Sequence, residues 1–371
     1  MPNIPARSDR WHHALRDRLH LASLGLLGPE FLLMLALGQW SSTRASVKTL
    51  THAYYADMGG FLLDDDINDR NKSDAVSRVI AVGQALWLLI NCAIRLAQGL
   101  ALTTLELTTI SFMIVFLVTS FCWRFKPSDI TSTITVLAHT HIDTIRQENC
   151  PTPRRPWHET PLDFVCDDVS FCGVHWRYYT EILRRWRIPM FSRPMTARPR
   201  DRIPSDTFPV TDMEADCIAT PVLLLFGSMF MVTWDFHFPS RAEHILWRIA
   251  SIYNLVFTVV GGLHAGYCDK IVLPRAYQER LTLPLSRTKP SEKSDKRCDS
   301  LRRLAARLRN IDPCRDPRRE VPLRVLLPTT ILCAMYCVGR AYILTEDFIG
   351  LRSLPATAYN TVSWSDYVPH L

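Results

Sequence analysis

Charged and amide side chains set inside apolar stretches are the residues of this chain with chemistry to offer. Glu30, Gln84, Asn91, Arg95, Glu106, His264 and Arg340 all lie in such stretches. An ionised group in hydrocarbon is costly, by about 2.5–3.5 kcal/mol at a helix centre on insertion scales, unless it finds a partner or a function. The chemistry that repays such a cost is the handling of ions, protons or polar solutes inside a bilayer.

Spacing sorts these groups. Only Leu100, Ala101 and Leu102 separate two apolar runs, so the runs should form a tight antiparallel helical hairpin. Arg95 and Glu106 then lie at matched depth, roughly 7 to 8 Å in from the turn at about 1.5 Å rise per residue, and are expected to pair or share partners. Gln84 and Asn91 are seven residues apart on one helical face and are expected to bind neighbouring helices. Glu30 follows Pro29, whose ring frees a carbonyl in the preceding turn and marks a helix break where polar groups gather. Arg340 is expected to snorkel towards the outer interface.

Other motifs offer less. His139, His141 and Asp143 form an HxHxD run with no further ligand in view, and Asp64, Asp65 and Asp66 read as solvated. There is no glycine-rich nucleotide loop, GxSxG elbow or HExxH pattern, so no enzyme activity and no cofactor are expected. The eleven cysteines include no CxxC pair; Cys92, Cys122, Cys333 and Cys337 read as small buried hydrophobes.

The elements that must position these groups are membrane spans. Val79–Leu100 is long enough to cross a bilayer and apolar on nearly every face. Further spans are expected at Leu19–Gly38, Leu102–Trp123, Cys217–Trp234, Leu246–Cys268 and Leu323–Leu344, the first interrupted by Pro29 and Glu30 and the fourth short for a crossing. The expected fold class is all-α, a multi-span transmembrane helical protein with large basic cytoplasmic loops. Its regions are an N-terminal segment (1–18), a membrane region of about three spans (19–123), a basic loop (124–216), a second membrane region (217–268), a second basic loop (269–322), a last span (323–344) and a tail (345–371).

A net charge of +7 would suit a nucleic-acid binder, but the basic residues sit in loops between spans, where they act as an orientation signal. With six crossings, the two basic loops and the loop carrying Arg44, Lys48, Arg70, Lys72 and Arg78 share the cytoplasmic side, and both termini lie outside. Arg7, Arg10, Arg16 and Arg18 resist that arrangement, because they too prefer the cytoplasm; either the first segment fails to cross or the later charges override it. The bilayer is the expected partner, at the plasma membrane or an endomembrane. Anionic lipids are a second, through Arg302, Arg303, Arg307 and Arg309, which flank the apolar face of Leu301, Leu304, Leu308 and Ile311. Within His175–Ile188, Trp176, Tyr179, Leu183 and Trp186 share one side beside arginines, which suits the headgroup zone.

Several strings resemble a large group of uncharacterised polytopic membrane proteins of filamentous fungi. They are HAYYADMGGF (52–61), INDRNKSD (67–74), QALWLLINCAIRLAQGLALTTLELTT (84–109), WRFKP (123–127), TPLDFV (160–165), FPSRAEHILWR (238–248) and the tail from Arg340. The chain departs from the group at Asn71, usually Ser, and at Arg124, usually Trp. The resemblance implies a helical membrane fold without an established activity, commonly preceded by an extracellular region. Two functions stay open: a transporter or channel, favoured by a buried continuous polar cavity, and a receptor-like or scaffolding protein, favoured by spans packed without one.

Overall fold

The computed structural model describes residues 11–46, 74–126, 170–188, 208–282, 304–306, 308–311 and 320–364. The described residues form helices and their connections, without strands. The HxHxD run, the aspartates at 64–66, and Arg302, Arg303 and Arg307 lie outside them.

Among the described residues, five helical units are long and apolar enough to cross a membrane: Val76–Ala97, Thr104–Phe125, Met213–Asp235, Arg241–Ala276 and Leu323–Arg352. Their cores are α3 (Asp74–Ala97), α4 (Thr104–Cys122), α6 (Met213–Met229), α7 (Arg241–Val256) continuing through α8 (Gly262–Tyr267) into α9 (Leu273–Thr282), and α10 (Leu323–Ile349). The fourth expected span is therefore not short: it starts earlier, where Asp212 caps α6 by accepting from the Ala215 amide. The last runs past Leu344 to Ile349, so Glu346 and Asp347 belong to a helix that the sequence reading ended too soon.

The first expected span is two helices. α1 (Trp11–Leu27) and α2 (Pro29–Ser46) meet at Gly28 with a change of axis of 115°. Pro29 is the first residue of α2, where its missing N–H costs nothing. A turn of more than 90° sends α2 partly back against α1. Leu33, Leu35, Ala36 and Leu37 are buried against neighbours that include Val115, Ala219 and Phe226, so α2 is a central helix and not a peripheral one.

The two ends of the bundle are distinct. At one, Leu96, Leu100–Thr104, Phe236–Phe238, Gly350, Leu354 and Pro355 line a common cavity. At the other, Trp123 Nε1 and Lys126 Nζ donate to Gln39 Oε1 over 3.0 and 2.9 Å, the Asp212 amide donates to Ser41 Oγ, and Arg78 donates to the Trp123 carbonyl. α2 thus ends at this second end. It begins beside Tyr336, whose ring centroid lies 6.3 Å from that of Phe31 and which sits near the middle of α10.

At the second end, α5 (Phe171–Arg185) buries Phe171, Val174, His175 and Tyr178 against Cys268, Val272, Val325 and Leu326. That face is rotated from the aromatic side expected from the sequence: Trp176 and Tyr179 are half-buried, and Trp186 is exposed. Burial drives the His175 imidazole down to about 4, with its Nδ1 set 2.9 Å from the Phe171 carbonyl, so it packs as a neutral ring.

α6 approaches the turn that follows α7 (Phe257–Gly261) closely at Gly227, where an added Cβ would fall 2.7 Å from Thr258 Oγ1 and 3.2 Å from Thr258 Cβ. Thr258 cannot swing away freely, since its hydroxyl donates to the Asn254 carbonyl. Gly227→Ala is expected to destabilise the bundle by about 1–3 kcal/mol through overpacking, despite the better helix propensity of alanine. Equilibrium unfolding in bicelles should show the loss, with part of it recovered when Thr258→Ala is added. An unchanged midpoint would mean that the crossing is not close.

Candidate functional site

The bundle interior holds a group of polar side chains that its apolar neighbours do not require. Along α10, the buried positions Val325, Leu326, Thr329, Tyr336, Arg340, Ile343, Glu346 and Asp347 recur at helical spacing on the inward side. The polar members run from Thr329 to Asp347, a separation of about 27 Å at 1.5 Å rise per residue, close to the thickness of a hydrocarbon core.

Arg340 is the centre of this group. It is 1% exposed, which overturns the expectation that it snorkels to an interface. Snorkelling needs a lipid-facing position near a helix end, and Arg340 faces inward at mid-helix. Its guanidinium carbon lies 5.1, 5.2 and 5.0 Å from the ring centroids of Phe112, Phe226 and Phe230, a three-sided aromatic cage. Among the described residues, no hydrogen bond of ordinary length reaches its Nε, Nη1 or Nη2. Its charge acts on two carboxylates, Glu30 on α2 and Asp347 two turns along its own helix. Cation–π attraction of this kind contributes about 2 kcal/mol or more when desolvated, so the cage and the carboxylates together offset the burial of the charge.

Glu30 occupies the first turn of α2, at the mid-bundle break. The residue keeps some exposed surface, but both carboxylate oxygens are buried, and Tyr336 and Arg340 are the groups that act on them. A carboxylate beside a helix N-terminus is favoured by the dipole. Glu346 is buried on another side of α10, where Tyr342 approaches its Oε2 at 3.4 Å and also donates to the Glu243 carbonyl. Asp347 is 1% exposed and faces the hydroxyls of Thr104 and Thr108 on α4. Both amide atoms of Asn254 on α7 are buried without a hydrogen bond among the described residues. Buried groups left short of partners cost about 1–3 kcal/mol each, and their concentration in one bundle makes it the candidate site.

Local backbone departures fall beside these groups. The helix after α7 widens into π turns at Phe257–Gly261 and Cys268–Val272, and Phe257 stacks on Tyr336 with centroids 4.2 Å apart. Such π turns concentrate at functional sites. His264, between the two π turns, places Nε2 3.2 Å from Thr329 Oγ1. Pro221 and Pro328 lie inside α6 and α10, where each removes a backbone donor. No group of three or more His, Cys, Asp or Glu side chains among the described residues has metal-holding geometry.

The hairpin between α3 and α4 forms around the expected short turn, with Gly99 at φ 68° making the reversal that other residues resist. Arg95 Nε lies 3.8 Å from Glu106 Oε1. Its other nitrogens donate to the carbonyls of Ala101, Ala358 and Asn360 at 3.0, 2.9 and 3.0 Å, so Arg95 fastens the tail to the turn. Glu106 also closes a capping box with Thr103. Trp87 stacks on Trp364 at 5.0 Å, and Gln98 exchanges hydrogen bonds with Ser363. Gln84 is exposed, and Asn91 donates to the Trp87 carbonyl of its own helix, so among the described residues neither serves the helix contacts expected of it.

Reversing both charges, Arg95→Glu with Glu106→Arg, is therefore expected to rescue little. The Ala358 and Asn360 carbonyls need a donor at position 95, and position 106 needs an acceptor for its cap. Arg95→Ala should raise hydrogen exchange across residues 356–363, with a loss of about 1.5–3 kcal/mol for charge-assisted bonds; full recovery in the double reversal would show that the ion pair alone matters.

Of the basic face expected near Leu301–Ile311, Arg309 is described: its Nε is buried, and its carbonyl accepts from the Val321 amide. Leu304 and Leu308 are exposed and Ile311 is buried, so the expected apolar face is split between core and surface. Of the seven described cysteines three, Cys92, Cys122 and Cys268, are buried. Sequence reasoning missed Glu346, Asp347 and Asn254. The signal for Asp347 was present in the helical spacing of Tyr336, Arg340, Ile343 and Asp347.

The chain matches a family of unknown function (DUF8562) over residues 62–146 and 306–371. These stretches make up less than half of the chain, and they contain α3, α4, α10 and the tail, which the Arg95 and Asp347 contacts join. No curated protein and no solved structure matches the chain.

Proposed function

We propose that this multi-span helical protein is an ion-coupled transporter whose path follows the inward side of α10. The observation that carries the reading is Glu30 at the N-terminus of a helix that starts mid-bundle, facing the buried, caged Arg340. Broken helices whose ends meet charged groups near the midplane are the means by which transporters hold ions and polar solutes in hydrocarbon. Three buried carboxylates, Glu30, Glu346 and Asp347, outnumber the guanidiniums that act on them, Arg340 and, at Glu346, Arg352, which favours positively charged cargo or coupling ions. The cavity at the hairpin end is lined by Thr104 but by none of Glu30, Arg340 and Asp347, so the reading rests on these buried charges and not on a continuous polar cavity.

The same reading re-enters α1–α2 from one face. With five crossings in place of six, the arginines at 7, 10, 16 and 18 join the basic loops on the cytoplasmic side, and the tail lies opposite. Glycosylation acceptors appended to each terminus should be modified at the C-terminus only; modification at both ends would restore six crossings.

Transport itself is tested on proteoliposomes adsorbed to a solid-supported membrane. Jumps of pH or alkali salt should displace charge in the wild type and not in Glu30→Gln or Arg340→Gln. A silent wild type under every jump contradicts the proposal. The second reading, a scaffold held to anionic lipid, draws on Trp186, Ile188, Leu304 and Leu308, which are exposed on the segments carrying Arg185 and Arg309. It predicts a thermal midpoint that depends on anionic lipid in nanodiscs.

A further inference from the structure

We propose that the chain pairs with a second copy of itself along α3, the Gln84 side chains of the two copies hydrogen-bonding to each other inside the bilayer. α3 is the least covered of the five spans: 11% of its most apolar stretch is buried, against 22–33% in the other four. Gln84 is exposed there, and among the described residues its carboxamide makes no hydrogen bond. Depth makes that costly. Arg78 holds the carbonyls of Trp123 and Arg124 at one end of the span, and Gly99 makes the turn at the other. Gln84 therefore lies about 9 Å in from Arg78 and about 22 Å from Gly99 at 1.5 Å rise per residue, within the hydrocarbon. Neither water nor an acyl chain can satisfy an amide at that depth.

The surface beside Gln84 has the form of a helix seam. Val76, Ile80, Gly83, Trp87, Ile90 and Ile94 follow one another at intervals of four, three, four, three and four, the 3.5-residue period that keeps one stripe facing a partner helix. Val76, Ile80, Trp87 and Ile90 are 65, 55, 56 and 49% exposed. An added Cβ at Gly83 would meet no atom within 4 Å, so the middle of the seam is open to close approach by another backbone. Gln84 flanks the seam at its open point.

The chemistry of this face selects a second copy. All copies insert with one topology, so two side by side present Gly83 to Gly83 and Gln84 to Gln84 at the same depth, about a two-fold axis along the membrane normal. A carboxamide both donates and accepts, and is its own complement. The charges of the span are engaged elsewhere, Arg78 on the carbonyls that follow α4 and Arg95 on those of Ala101, Ala358 and Asn360, so the seam itself is uncharged. The pairing does not depend on the transport reading.

The test uses full-length protein carrying a donor or an acceptor fluorophore, reconstituted together in neutral lipid and diluted over a range of protein-to-lipid ratios. Energy transfer in the wild type should exceed the level of random proximity and fall on dilution as a dimer does. Gln84→Leu should weaken association about 3- to 30-fold, the range for one interhelical hydrogen bond. Gly83→Leu should weaken it by blocking the close approach, and its thermal midpoint at high dilution should not fall, because the position is open and leucine favours a helix over glycine. That midpoint separates lost pairing from lost folding. In a cysteine-free chain, Ile80→Cys should cross-link to its copy, and Ala93→Cys, exposed and half a turn round the helix from Gln84, should not. Energy transfer at the random level would give the face to lipid or to a different helix and overturn the proposal. So would association unchanged in either seam variant, or cross-linking at Ala93→Cys alone.

Discussion

Arg340→Ala is expected to destabilise the bundle by about 3–5 kcal/mol, the range found when one member of a buried charge pair is deleted. Two losses combine. The substitution leaves Glu30 and Asp347 without the positive charge that acts on both, and it empties the space between Phe112, Phe226 and Phe230. Arg340→Met separates the two, because it restores most of the volume without the charge. It should remain destabilised alone and recover when Glu30→Gln removes one of the orphaned carboxylates. Reversible unfolding in bicelles reads each variant. A wild-type midpoint for Arg340→Met would show that the guanidinium is dispensable.

Trp247→Ala should cost a similar amount, about 3–5 kcal/mol, for a different reason. The indole is fully buried, lies 5.4 Å from the Phe238 ring, and donates from Nε1 to Thr233 Oγ1. Thr233, itself buried, donates to the Phe230 carbonyl, so Trp247 fastens the turn that joins α6 to α7. Phe230 is one wall of the Arg340 cage, which links the loss to the site. Trp247→Phe keeps much of the volume and should lose about 1 kcal/mol for the hydrogen bond together with a smaller cavity term. A loss under about 1 kcal/mol in Trp247→Ala would mean that the neighbours collapse into the space.

What the sequence disclosed follows from the range of the interactions concerned. The α3–α4 hairpin was legible because length, apolarity and a three-residue turn are local, and Arg95 and Glu106 could be matched in depth by counting residues. The carbonyls that Arg95 also serves belong to Ala358 and Asn360, more than 260 positions away, and nothing local announces them. Glu30 was found because Pro29 marks a break, but the 115° change of axis depends on what α2 packs against. Arg340 was seen and misplaced: a lone arginine in an apolar run reads the same whether it faces lipid or three phenylalanines from α4, α6 and the turn after it. Asp347 was lost when the last span was ended at an apolar residue. Hydropathy falls there, while the helical spacing of inward positions continues.

The central claim is that the inward side of α10 meets water from one membrane face or the other, while its outward side meets lipid. Single cysteines placed in a cysteine-free chain, reconstituted in vesicles, test it through a membrane-impermeant methanethiosulfonate. Cysteines at Thr329 and Ile343, both buried inside the bundle, are predicted to react, and those at the outward positions Leu327 and Val338 to stay inert. Inert cysteines at Thr329 and Ile343, applied from both sides, would leave the buried charges without a path and contradict the account.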